Sequence, residues 1–265
     1  MFDAAQTSLV PAREVARATS LTTAANGLRY GSFGSTDVAP DTLRHIVEAV
    51  PPALAGMLAR RAYYFVPLAI SETEEVEIAP GFTVDLGDRA TCHRNMTAEG
   101  VECTFISARL MQDRFALAFE FFINVGHQLV DAMGVPRRFA DLVWAQSKAD
   151  VRGETSQDAW EARRRASDTG VITHLAASSA EGAGGGEPAR GGEERARTEF
   201  FEAAFADTLA IYMLSLAIDL DYADLREREY PLLAAPALAD RLKLAAELFP
   251  PAVEYQFAIR YRRRH

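Results

Sequence analysis

The chain has 265 residues, 49% of them hydrophobic and 25% charged, with a formal charge of -9 and a pI near 5.2. Those values suit a soluble globular protein with a sizeable core, in one large domain or two small ones. The acidic balance argues against general nucleic-acid binding, which needs basic surface to displace counterions from phosphates.

Cys92 and Cys103 are too few for a disulfide framework. They could pair across a hairpin, but reduced thiols are the expectation. The first twenty residues lack a basic segment followed by a long apolar one, and no uninterrupted apolar stretch reaches about 18 residues. Neither a cleaved leader nor a membrane span is therefore expected. The expected location is the cytoplasm, with export by a signal not visible in the sequence left open.

Residues 1 to about 40 show weak periodicity, and Gly27 to Pro40 reads as loop. Asp41 can cap a helix carrying Leu43, Ile46, Val47 and Val50, with His45 on it as a surface or half-buried structural histidine. Pro51-Pro52 ends that helix before a second short one through Leu54, Met57 and Leu58. Residues 1–60 thus form an extension or small lobe, and residues 61–265 the main domain.

Ala62 to Ile70 is a continuous apolar run that fits a buried strand, with Pro67 limiting its pairing. Val76 to Leu86 alternates as a strand with Pro80-Gly81 as a turn. A polar link carrying His93 leads to another alternating strand at Val101 to Leu110. Strands followed by helices point to an α+β domain.

Phe115 to Gly134 is a strongly apolar run of helical length, and Pro136 to Trp144 continues as a shorter helix. Asp150 to Asp168 reads as a charged surface helix containing Trp160. Residues 176–197 are low-complexity Gly, Ala, Ser and Glu, expected to loop out. Thr198 is placed to cap an apolar helix through Ile218, bearing Phe201, Phe205, Leu209 and Tyr212 at helical spacing. A further helix runs from Pro236 to Phe249, and Val253 to Tyr261 closes the chain as a short helix or strand. The basic cluster Arg260 to His265 reads as a solvated tail.

Taken by itself, Phe115 to Gly134 is a core helix with His127 as a satisfied buried histidine. Within it, however, Ile123-Asn124-Val125-Gly126-His127 stands where a zinc hydrolase would carry His-Glu-x-Gly-His. In that motif two histidines four apart share one helical face, and the glutamate takes a proton from metal-bound water. Much later comes Glu199-Phe200-Phe201-Glu202-Ala203-Ala204-Phe205-Ala206-Asp207. The pair of helices resembles the anthrax lethal factor family of zincin metalloproteases, over roughly Val101 to Phe257.

That resemblance implies a zincin-like fold, a mixed sheet packed on a central active-site-type helix with further C-terminal helices. It matches His127 to the second histidine ligand and Glu199 to the glutamate ligand, and places Asp131 where many relatives carry an aspartate. It also shows what is missing. Ile123 replaces the first histidine, Asn124 replaces the general base, and Ala203 stands where a second glutamate would be, beside Glu202. The family tyrosine has no candidate in the glycine-rich stretch.

An isoleucine offers no ligand, and an amide has no useful proton affinity near neutral pH. Two remaining ligands hold zinc weakly. The leading expectation is therefore a degenerate zincin acting as a binding or scaffolding module for a protein or peptide partner. Its cleft would be lined by Ile123, Asn124, His127, Asp131, Glu199 and Ala203, with no cofactor. The alternatives are a metal-dependent hydrolase whose zinc site is completed by Asp131, His93 or His174, and a metal-free enzyme using His127, Glu199 and Glu202 as acid and base groups.

Overall fold

The computed structural model describes residues 8–70, 75–111, 113–167, 187–222, 225 and 230–259. The fold is mixed α+β and divides into two compact units. The first comprises Met1–Asn124, Leu216–Ile218 and Phe249–Gln256; the second comprises Val125–Ser215, Asp219–Leu248 and Phe257–His265.

The first unit runs β1 (Val10–Pro11), α1 (Ala12–Ala18), β2 (Thr22–Thr23), β3 (Arg29–Ser32), α2 (Pro40–Glu48), α3 (Pro52–Met57), β4 (Arg61–Val66) and β5 (Leu68–Ile70). It continues through β6 (Glu77–Ala79), α4 (Val84–Asp88), β7 (Ala90–Thr91), β8 (His93–Ala98) and β9 (Val101–Ser107), then enters α5 (Arg114–Met133). A five-stranded mixed sheet has the order β2-β3-β4-β9-β8, and a second, four-stranded sheet the order β1-β6-β5-β7. In the first sheet β3, β4 and β9 are parallel, with β2 and β8 antiparallel at the edges.

The apolar run at 62–70 is two strands in two sheets. Pro67 has no N–H to give a ladder and separates β4 from β5. β4 is central and buried on both faces, which is why it carries no alternation. One face of the five-stranded sheet takes Ala12 and Val15 of α1 against Ala62, Tyr64, Val66 and Phe105. On the other, the Phe121 ring of α5 meets Tyr63 edge-on at 5.0 Å and Phe65 at 5.8 Å.

Several expectations need correction. The segment before residue 40 holds α1 and three strands, each too short to show a period, and β3 lies inside the expected Gly27–Pro40 loop. Asp41 sits in the first turn of α2, where Pro40 starts the helix without a side-chain cap. Val84 and Leu86 belong to α4, a five-residue helix capped by Thr83, whose hydroxyl accepts from the Leu86 N–H at 3.3 Å. The polar link around His93 forms β7 and β8; an edge strand with half-exposed polar side chains gives no hydrophobic signal. His45 is half-buried as expected, its Nε2 3.0 Å from the Ala217 carbonyl and its ring 5.4 Å from that of Tyr255.

The second unit holds α6 (Arg137–Lys148), α7 (157–167), α8 (Glu187–Ala217, whose last two residues belong to the first unit) and α9 (Ala235–Leu248). Its core joins Phe139 to Phe205, with ring centroids 4.8 Å apart, and Trp144 edge-on to Phe201 at 6.0 Å. The segment expected to be a charged surface helix is helical over 157–167, but ahead of that helix it carries a fully buried carboxylate, Glu154. Arg241, also fully buried, clamps Glu154 through two nitrogens at 2.8 and 3.1 Å and takes Gln146 Oε1 at 2.7 Å on its Nε. Arg163 adds a third contact at 3.4 Å. Gly153 beside them has φ +78°, and a Cβ there would lie 2.1 Å from the Leu232 carbonyl oxygen, so only glycine fits.

α8 begins at Glu187, so residues 187–197 of the expected loop are helical, while 176–186 lie outside the described residues. Thr198 does not cap α8; it lies within it and donates to the Glu194 carbonyl at 3.0 Å. Within α8, Gly192–Ala217 is long and apolar enough to cross a membrane by composition, but 78% of that window is buried, as in a core helix. Residues 253 and 254 form a turn and 255–259 are neither helix nor strand, against the expected closing element; the basic cluster lies outside the described residues.

Candidate functional site

α5 is helical throughout Ile123–His127, so these side chains fall on successive turns. Ile123 is half-buried and Asn124 is buried at 4% exposure. The Asn124 amide is committed: Nδ2 donates to the Glu120 carbonyl at 2.9 Å and to Glu120 Oε1 at 3.1 Å. The same carboxylate oxygen takes the His93 Nδ1 at 2.6 Å. The first unit thus contains a chain His93–Glu120–Asn124, built between the edge strand β8 and one turn of α5. Burial and the nearby Glu120 charge push the thiol of the adjacent Cys92 up, which keeps it protonated and poorly nucleophilic.

In the second unit Gly126 explains itself by packing. A Cβ on it would lie 2.5 Å from the Ala206 carbonyl oxygen, so the glycine lets α8 lie directly against this turn of α5. His127 and Asp131 are exposed rather than buried, which overturns the reading of His127 as a satisfied core histidine. Glu199 is half-buried and already neutralised, with Arg195 at 3.0 Å and Arg165 at 3.6 Å. Glu202 is exposed and Ala203 half-buried. His174 lies outside the described residues.

Two carboxylates matter here that the sequence reading passed over. Glu120 was legible in principle, since it stands four residues before Asn124 on one helix face. Asp207 interrupts the apolar stretch AAFADTLAIYM and is buried at 5% exposure. Burial pushes its carboxyl up, opposed by side-chain hydrogen bonds from Ser156 and Thr155 and by the charge of His127. The Thr155 hydroxyl donates to Asp207 Oδ2 at 2.9 Å. A carboxylate inside an otherwise apolar helix was the available signal, because such a group must find partners once the helix is buried.

The residues present do not fit the zinc ion that the resemblance implies. Ile123 has no donor atom, Asn124 spends its amide on Glu120, and Glu199 is held by two guanidinium groups. Among the described residues, no group of three or more His, Cys, Asp or Glu side chains is placed to hold a metal ion. Comparison with known proteins adds no neighbour: no family model, curated protein or solved structure matches the chain.

Proposed function

We propose that this chain is a zincin-like protein of the lethal factor type that has lost its metal site and acts as a binding or scaffolding module for a protein or peptide partner. The observation that carries the reading is the state of Asn124. At the position of the general base stands a buried amide whose N–H groups are consumed by Glu120. Such a group neither accepts a proton from water nor turns toward a substrate without breaking two hydrogen bonds. Support for the ancestry comes from the order of elements: a mixed sheet with an antiparallel edge strand leads through β9 into α5, and Gly126 of that helix carries the backbone of α8.

Metal quantification on the purified protein is the test. The expected zinc content is well under one equivalent, and a stoichiometric ion overturns the proposal. An Ile123→His, Asn124→Glu variant probes the ancestry separately. Because the new carboxylate would face Glu120, the variant should be made both alone and with Glu120→Gln. Zinc uptake in the variant carrying Glu120→Gln is the result expected of a zincin scaffold.

A further inference from the structure

The first unit contains a cavity of about 350 Å³ between α1 and the sheet face that α1 covers only in part. Arg13 and Arg17 reach it from α1, Arg29 from β3, Tyr64 from β4 and Cys103 from β9, with Glu99 in the turn between β8 and β9. None of these residues lies on α5 or α8, so the cavity is independent of the degenerate motif.

Strand register explains the convergence. Arg29 pairs with Ala62, Ala62 with Cys103, and Tyr64 with Phe105, so Arg29, Tyr64 and Cys103 share one face of the sheet. On α1, Arg13 and Arg17 are four residues apart and therefore project from one side. Glu99 has φ +52° and Gly100 φ +78°, the left-handed pair of a two-residue hairpin turn, which holds the Glu99 carboxylate against the Arg17 Nε at 2.8 Å.

The lining is cationic in a chain whose overall charge is -9. Three guanidinium groups face one carboxylate. Only Arg17 is paired with that carboxylate. Arg13 has no ion pair or hydrogen bond among the described residues. Arg29 donates from Nη2 to the Ala59 carbonyl at 3.3 Å, but its Nε is buried with no acceptor. A buried N–H left without an acceptor costs about 1–3 kcal/mol, which an oxygen placed in the cavity would relieve. Deeper in, the walls change character. The Tyr64 ring stacks on Phe105 at 4.8 Å, and Leu21 and Val101 supply apolar surface. Burial holds the Tyr64 hydroxyl up to about 12 and pushes the Cys103 thiol up as well, so both remain neutral hydrogen-bonding groups.

We propose that this cavity binds a small molecule with one oxyanion head, carboxylate or phosphate, held by Arg29 and Arg13, and a short apolar or aromatic body lying against Tyr64 and Val101. The volume is at the small end of the range of roughly 300–1,000 Å³ for ligand pockets, which calls for a compact ligand. Planar forked donors suit both oxyanions.

The test uses the full chain and four probes: benzoate, phenyl phosphate, benzyl alcohol and inorganic phosphate. Binding is followed by isothermal titration calorimetry and ligand-observed NMR. Benzoate or phenyl phosphate should saturate a single site with a Kd of about 1 mM or tighter. Whichever of the two binds more tightly identifies the head. Benzyl alcohol should bind at least tenfold more weakly, since it lacks the charge, and inorganic phosphate more weakly than the better aromatic anion, since it lacks the body. Arg13→Gln, on an exposed side chain that the fold does not need, and Arg29→Gln should each weaken the anion tenfold or more. Arg137→Gln on α6 should leave it unchanged. The proposal is overturned if neither anion saturates, if benzyl alcohol binds as tightly as the anions, or if Arg13→Gln binds like the parent. Should Arg29→Gln fail to fold by circular dichroism, the Arg13 variant decides.

Discussion

Replacing Gly126 by alanine tests whether this glycine of α5 is required for packing. Two effects oppose each other. Alanine is favoured over glycine in a helix interior by about 1 kcal/mol. Against this, the new methyl would meet the Ala206 carbonyl oxygen at 2.5 Å and its carbon at 3.1 Å. Overpacking costs about 1–3 kcal/mol where side chains can adjust. Here the obstacle is the backbone of a buried helix, which moves only as a unit, so the upper part of that range applies and the net loss is about 2 kcal/mol. Gly56 in α3 supplies the control, because a methyl there meets nothing within 4 Å. Gly56→Ala should raise stability by about 0.5–1 kcal/mol. Urea unfolding followed by circular dichroism should therefore move the two midpoints in opposite directions at similar slope. Trimming Ala206 to glycine in the Gly126→Ala background should not rescue it, since the obstructing atoms are main chain. A Gly126→Ala midpoint at or above that of the parent would refute the packing account.

Three further outcomes follow from buried polar groups. Arg241→Met removes the bidentate partner of Glu154 and leaves it only the 3.4 Å contact to Arg163; the expected loss is about 3–5 kcal/mol, and adding Glu154→Gln should recover part of it in the same urea assay. Asp207 has its carboxyl pushed above the ordinary range, so the folded state holds that proton more tightly than the unfolded chain. Its contribution is complete below the ordinary carboxylate range and lost as pH rises through the raised value; Asp207→Asn should gain thermal stability relative to the parent between pH 4 and pH 8, and an unchanged difference would contradict the assignment. Tyr255→Phe deletes the hydroxyl that donates to the His45 carbonyl at 2.8 Å, at a cost of about 1 kcal/mol. Because that hydroxyl is held up to about 12, above its ordinary value, the cost should be constant up to about pH 10 and shrink steadily between about 10 and 12, where the unfolded chain ionises first, as measured by urea midpoints across that range.

What the sequence made legible follows burial and length. β4, β9, α5, α8 and α9 carry enough apolar residues in run or period to be read directly. β8 does not, because an edge strand of HRNMTA composition buries none of its side chains fully and its pairing with β9 is visible only in the fold. α4 imitates a strand: Val84 and Leu86 are two apart, and only the Thr83 cap distinguishes five helical residues from alternation. The start of α8 carries no apolar run in its sequence; Glu194 and Arg195 are exposed, and a local pair such as Arg195 with Glu199 supports the helix there. In the candidate site, the positions on α5 were placed correctly on a helix while their partners were not. Asn124 finds Glu120 through helix geometry, but Glu120 finds His93 through a strand 27 residues earlier, a pairing that no local pattern announces.

Glu120 is the residue that ties Asn124 into the structure. Left without partners, a carboxylate beside Asn124 would carry an unbalanced charge in a partly buried place. Instead Glu120 accepts from both Asn124 and His93, while Glu199 draws on Arg165 and Arg195. Both carboxylates, Glu120 and Glu199, are thus balanced by protein groups. Placing glutamate at position 124 would set two carboxylates one helical turn apart and deprive Glu120 of a donor, a local penalty independent of any ligand set. The side chain at position 124 is therefore coupled to Glu120 and His93. Asn124 has a structural role of its own in α5, and reversing it alone would act first on that helix.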